Sequence, residues 1–229
     1  MSAPADGATH ADWPHLFRPG AGALVLALHG TGGVESDAVA LAERIAPGAA
    51  ILSPRGRVSE NGAGRWFRRA SEGVFDVDDV IRRADELAGF VGWAVAEYGL
   101  DGHGLDGHGL DGHGLDGHPL VATGFSNGAN MALALGMLHP RLVPTVVAFS
   151  GMYPFGDRTL PRDLSRSRLL LLNGTADPMA PQSSVDVLAR TAAEQGAAVT
   201  RVSRDGGHGI QPAELAEAER WITGLAAAP

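Results

Sequence analysis

Gly124-Phe125-Ser126-Asn127-Gly128 sets a serine between two glycines, each two residues away. Leu120, Val121 and Ala122 form a short apolar run before it, and Ala129, Met131, Ala132, Leu133 and Leu135 are helix formers after it, up to Gly136. A serine at so sharp a strand-to-helix turn is strained, and its hydroxyl stands clear of the backbone. The glycines give the returning chain room that a Cβ would take. The helix that follows aims its N-terminus at the serine, so the Asn127 N–H can face a developing oxyanion. The chemistry expected is attack by Ser126 Oγ on a carbonyl carbon. The plain alternative is a glycine-rich turn with an incidental serine, and the strand before and helix after weigh against it.

A serine nucleophile needs a base and a group that orients the base. His10 and His15 lie near the N-terminus, and His139 precedes Pro140 at a helix end, where an imidazolium merely complements the dipole. Four further histidines fall in a glycine-rich repeat, and His29 ends an apolar run ahead of Gly30-Thr31-Gly32-Gly33. His208 lies beyond the last strand-like run, at the carboxyl edge where α/β sites assemble, and is the only histidine after residue 139. Between Ser126 and His208 stand Asp157, Asp163, Asp177, Asp186 and Asp205. Asp177 alone directly follows an apolar strand end; Asp205 shares the loop of His208 and reads as a turn residue. The order Ser126, Asp177, His208 is that of α/β-hydrolases. A second oxyanion donor should come from the loop after the first apolar run, where the Thr31 N–H fits.

These residues must be carried by an alternation of strands and helices. Ala23–Leu28, Ala49–Leu52, Leu120–Ala122, Pro144–Phe149 and Arg168–Leu172 are continuous apolar runs, as expected of strands buried on both faces. Val199–Val202 is a last short strand. Helices are expected from Ser36 or Asp37 to Ile45, from Asp76 to about Tyr98, over Val185–Gln195, and from Pro212 onward. The fold class is therefore α/β, a mostly parallel sheet with helices on both faces, in one domain over residues 1–229 without a large cap domain. Residues 1–20 read as a loose arm that docks through Trp13, Leu16 and Phe17. Residues 99–118 are four tandem copies of Gly-Leu-Asp-Gly-His. A period of five fits neither helix nor strand, and two glycines per copy make regular structure costly. The segment reads as a flexible insertion produced by replication slippage; its histidines and aspartates leave a metal-binding or interaction role as the alternative.

Composition narrows the chemistry further. All 18 basic residues are arginine and there is no cysteine, which removes Schiff-base lysines, Ser–Lys dyads, cysteine nucleophiles and thiolate metal sites. A net charge of −8 without a basic run argues against a nucleic-acid partner. No apolar signal segment or membrane-length run is visible, so no membrane insertion is expected and the default location is cytoplasmic.

Six ordered blocks resemble the phospholipase/carboxylesterase family of α/β-hydrolases, in particular a bacterial branch of carboxylesterases linked to hydroquinone and catechol resistance. They are His29-Gly30-Thr31-Gly32-Gly33, Ser53-Pro54-Arg55-Gly56, Arg65-Trp66-Phe67-Arg68-Arg69, Gly124 to Asn130, Asn173 to Pro178, and Gly206-Gly207-His208. The resemblance spans about residues 20–226. It implies a triad of Ser126, Asp177 and His208, an oxyanion hole of Thr31 and Asn127, and no cofactor or metal. It also implies a substrate pocket walled by the Trp66 segment, for which Trp66, Phe67, Phe75, Met152, Met179 and Ile210 are the expected residues. Trp66 and Phe67 have a blander reading, as staples of their loop to the core. The repeat departs from the family's shorter link. The expected partner is a small-molecule ester, of short-chain or aryl type; lysophospholipase or acyl-thioesterase action on longer chains is the alternative, and a homodimer stays open. Dienelactone hydrolases, relatives with a cysteine nucleophile, are disfavoured because this chain has none.

Overall fold

A computed structural model describes residues 10–21, 23–71, 73–100 and 120–226. Repeat residues 101–118, with the metal-binding reading attached to them, lie outside the described residues. Five strands are buried along most or all of their length: β2 (Leu24–Leu28), β3 (Ala50–Pro54), β8 (Leu120–Phe125), β9 (Thr145–Phe149) and β10 (Arg168–Gly174). They pair in parallel, and β11 (Ala198–Arg204) extends the sheet beside β10. The seven-stranded order is β1-β3-β2-β8-β9-β10-β11, where β1 is His15–Arg18.

Strand β1 corrects the expected loose arm. His15–Arg18 pairs antiparallel with β3 and forms the sheet edge. Trp13 is buried and its Nε1 donates to Arg55 O at 2.7 Å, and Phe17 stacks on Tyr98 at 4.2 Å; Leu16, on the outer side, stays exposed. Burial alternates along His15–Arg18, as in an edge strand with one covered face, although Leu16 and Phe17 are both apolar.

Helices cover both faces. On one, α2 (Val77–Glu97), α3 (Asn127–Leu138) and α4 (Gln182–Glu194) share a core with Leu24, Leu26 and Leu28. On the other, α1 (Glu35–Ile45) and α5 (Pro212–Ala226) pack with Val25 and Ala27. The strand's period of two thus divides one apolar run between two cores. Helix α2 starts where its acids indicate, with Asp76 Oδ1 accepting from the Asp79 N–H at 3.1 Å. Helix α1 starts earlier than expected: Val34 is the N-cap, and Asp37 reaches back to accept from the Val34 N–H at 2.9 Å. Helix α3 is buried along its whole length. It runs through Gly136, where an added Cβ would lie 2.5 Å from Val146 Cγ2, so close packing on β9 requires the glycine.

The polar loop expected after β3 contains two small hairpins, β4 (Val58–Glu60) with β5 (Ala63–Arg65) and β6 (Arg69–Ser71) with β7 (Val74–Phe75). Among the described residues no helix is long and apolar enough to cross a membrane.

Candidate active site

All the singled-out polar residues lie just past the carboxyl ends of parallel strands. Thr31 follows β2, Ser126 follows β8, Asp177 follows β10 and His208 follows β11. Ser126 has φ 55° and ψ −114°, a conformation that costs a non-glycine residue about 1–3 kcal/mol and persists only where packing imposes it. The packing here is tight. A Cβ on Gly128 would lie 2.1 Å from Leu28 O, and one on Gly124 would lie 2.5 Å from the Gly128 carbonyl carbon. The Ser126 N–H donates to Phe149 O at 3.0 Å, which ties the turn to the neighbouring strand.

Asp177 and His208 meet. The imidazole Nδ1–H donates to Asp177 Oδ2 at 2.7 Å, and Asp177 Oδ1 accepts from the N–H groups of Met179 and Ala180 at 2.8 and 3.1 Å. The carboxylate side chain is fully covered. With a carboxylate on Nδ1, the proton resides there and Nε2 carries the lone pair. That Nε2 is buried and has no hydrogen-bond partner among the described residues. The imidazole packs 4.8 Å, centroid to centroid, from Phe125, the residue before Ser126.

The loop after β2 is held by three hydrogen bonds. The Gly32 N–H donates to Gly64 O at 2.9 Å, the Gly33 N–H to Gly30 O at 3.1 Å, and Arg65 Nη1 to Thr31 Oγ1 at 3.0 Å. Arg65 is itself buried and paired with Glu60 at 3.0 Å. His29 is buried under this loop. Its Nδ1 donates to Gly30 O at 2.8 Å and its Nε2 accepts from the Gly56 N–H at 2.9 Å. Burial holds its pKa below the usual histidine value, partly opposed by the Gly30 carbonyl and the charge of Glu35. Asn127 is the first residue of α3, so its N–H has no partner within the helix. Its side-chain Oδ1 accepts from the Trp66 N–H at 2.8 Å.

Trp66 and Phe67, expected in the pocket wall, are packed into the core. Trp66 is 2% exposed and Phe67 0%, and both belong to the core shared with α2. Trp66 Nε1 donates to His29 O at 2.8 Å, and Phe67 meets Phe75 edge to face at 4.9 Å. Two hairpins fold the segment inward, and aromatic rings that large lose more by facing water than a loop gains from keeping them there. Of the other expected pocket residues, Phe75 is half-buried and packs on the same core, Met152 is buried, Ile210 is half-buried on the opposite core, and Met179 is exposed beside Asp177. Sequence reasoning missed Arg65 on Thr31, and also Arg204, whose guanidinium reaches the loop of His208. The first joins residues 34 apart in sequence and the second ends on backbone carbonyls, so no motif announces either.

A parallel sheet of this order, wrapped by helices and carrying a strained serine turn, defines an α/β-hydrolase fold. The comparisons place it more narrowly. The chain belongs to the phospholipase/carboxylesterase family, whose pattern it matches over residues 110–225, and it is an ester-hydrolysing enzyme. It is similar to the hydrolase MhqD of Bacillus subtilis (strain 168), with 32% identity over 208 residues, 90% of this chain and 96% of that protein. Among solved structures, a Bacillus cereus carboxylesterase aligns with a TM-score of 0.80 at 33% identity, covering 94% of this chain and 95% of that one. A Mesorhizobium loti carboxylesterase aligns with a TM-score of 0.75 at 30% identity, covering 88% of each chain.

Proposed function

We propose that this protein hydrolyses small carboxylic esters through an acyl-enzyme, with Ser126 as nucleophile, His208 as base and Asp177 as the acid that orients it. The observation that carries this reading is the His208–Asp177 pair: Asp177 takes the proton-bearing Nδ1, so the buried Nε2, which has no hydrogen-bond partner among the described residues, carries the lone pair. Ser126 Oγ bonds to the carbonyl carbon as its proton passes to Nε2. The N–H groups of Thr31 and Asn127 receive the oxyanion. The tetrahedral intermediate collapses, the C–O bond to the alcohol breaks, and the imidazolium protonates the leaving oxygen. Water, deprotonated by the same Nε2, then releases the acid and restores Ser126. Asp177 keeps the ring oriented throughout, because two backbone N–H groups hold one of its oxygens and the imidazole holds the other. No cofactor enters this scheme.

Short-chain and aryl esters are the preferred substrates in this reading. Among the described residues every α-helix packs on the central sheet, and none lies over the site as a lid that would shelter an acyl chain of a dozen carbons. The test is a series of p-nitrophenyl esters from acetate to laurate, run with Ser126→Ala alongside. Acetate or butyrate should give the highest kcat/KM, and Ser126→Ala should lose roughly 10⁴- to 10⁶-fold in kcat. A maximum at laurate would transfer the reading to lysophospholipase or acyl-thioesterase chemistry. A Ser126→Ala protein with more than a few per cent of parental activity would remove the nucleophile assignment.

A further inference from the structure

The loop that carries His208 contains little that would hold it still. Gly206 has φ 121° and Gly209 has φ 155°, both in the region that favours glycine, so the backbone on either side of the imidazole is free of the usual steric limits. Asp177 fixes one ring nitrogen but not the Cα from which the ring hangs. Much of what fixes that backbone comes from Arg204, the last residue of β11, while Gly209 O also accepts from Ser150 Oγ at 3.4 Å. Its Nη2 donates to Gly207 O at 3.0 Å and to Gly209 O at 2.5 Å, the two carbonyls that flank His208. Its Nε donates to Glu214 Oε2 at 2.7 Å. Glu214 lies in the first turn of α5, where the helix dipole favours its charge, and the same Oε2 accepts from the Gln211 N–H at 2.7 Å. The guanidinium is therefore a fork with one tine on a buried carboxylate and another across the loop. A second seam supports it from the other side: Thr175 N–H donates to Arg204 O at 2.8 Å and Ala176 N–H to Gly206 O at 2.9 Å, joining the Asp177 loop to the His208 loop.

We propose that Arg204, held in place by Glu214, is the positioning residue for His208: it clamps the carbonyls on both sides of the imidazole and so sets the ring against Ser126. This deepens the proposed function and rests on its assignment of His208 as base. Stability alone accounts poorly for the arrangement. Glu214 is 3% exposed and Arg204 15% exposed on their side chains, and burying such a pair costs desolvation that a pair of apolar residues would avoid. The ionic fork supplies directed donors at a fixed angle, which apolar residues cannot and a lysine can only in part. Misplacing a proton-transfer group by about 1 Å costs on the order of 100-fold in rate.

The experiment uses the full chain and the variants Arg204→Met, Arg204→Lys and Glu214→Gln, with Ser126→Ala and His208→Ala as controls. Three quantities are read with p-nitrophenyl acetate: KM, kcat per site counted by fluorophosphonate titration, and the rate constant of fluorophosphonate labelling. For Arg204→Met, KM should stay within about twofold while kcat per site and labelling rate fall together by roughly 10- to 100-fold. Arg204→Lys should recover part of that loss, and Glu214→Gln should show a smaller loss of the same kind. A structural tie alone would lower the melting temperature and the number of titratable sites but leave kcat per site at the parental value, and that result would overturn the proposal. Should Arg204→Met fail to fold, Glu214→Gln with a parental kcat and labelling rate would overturn it equally. If His208→Ala and Ser126→Ala keep their activity, the reading of the site fails; if both are inactive while Arg204→Met turns over normally, the clamp alone fails.

Discussion

Replacing Trp66 by alanine should damage the fold far more than it redirects substrate choice. The indole is 2% exposed, lies 5.1 Å from the His29 ring by centroid, and donates its N–H to His29 O at 2.8 Å. Truncating a buried aromatic of this size costs about 3–5 kcal/mol, and a buried carbonyl left without its donor adds to that figure. In a chain of 229 residues each kcal/mol lowers the melting temperature by about 2–4 °C. A loss near 4 kcal/mol therefore corresponds to roughly 8–16 °C, a large share of the 5–15 kcal/mol that holds a typical domain folded. Trp66→Phe keeps most of the ring volume but not the N–H, so its loss should be nearer 2 kcal/mol, or about 4–8 °C. The assay is thermal unfolding followed by far-ultraviolet circular dichroism. Relative kcat/KM is measured on the same preparations over short-chain, aryl and bulky acyl esters. The expected result is a graded fall in melting temperature with an unchanged ranking of esters. A Trp66→Ala protein that melts within about 3 °C of the parent and accepts bulkier acyl groups would refute the argument and make the ring a pocket wall.

Two further outcomes are expected. His29 is buried neutral, with its pKa below the ordinary 6.5, and protonation would turn the acceptor of the Gly56 N–H into a second donor. The unfolded chain therefore takes up the proton first, so the stability due to neutral His29 is complete above about pH 6.5 and is lost as pH falls through the lowered value. His29→Gln, whose amide oxygen can accept from Gly56, should show a shallower fall in melting temperature between pH 7 and pH 5 than the parent; equal slopes would exclude His29 as the cause. Deleting residues 104–118 removes three whole repeat copies and changes loop-closure entropy by only on the order of 1 kcal/mol, so kcat/KM should stay within about twofold. A marked loss of activity would show that the repeat does more than span a gap.

The strands β2, β3, β8, β9 and β10 were legible because a strand covered on both faces must be apolar at every position, and such runs stand out. Helix α2 was legible because its core stripe repeats with helical period and its first turn is acidic. Strand β1 was read as an arm because His-Leu-Phe-Arg sets its two apolar residues side by side and shows no alternation of apolar and polar positions. The hairpins around Trp66 escaped for a similar reason: strands of two or three residues with glycine between them look like any polar loop. The reading of Trp66 and Phe67 followed from that, since aromatics in a supposed loop invite a ligand-binding role, whereas the hairpins turn both side chains into the core. The order of Ser126, Asp177 and His208 could be read from chain position. The Arg204 clamp could not, since it closes on the carbonyls of Gly207 and Gly209, which carry no residue identity.

The two ends of the interval that holds the repeat are fastened independently. Leu100 is buried and its N–H donates to Val95 O at 2.8 Å, while Leu120 is buried and pairs with Leu24 in the sheet. Neither anchor depends on how many residues come between them. A gene that gains or loses whole pentapeptide units here alters the length of the protein without shifting the register of α2 or β8. Selection acting through foldedness has little purchase on that number. Closely similar chains should therefore differ in repeat count as freely as in silent codons, and the same interval offers an engineer a place to graft a foreign peptide.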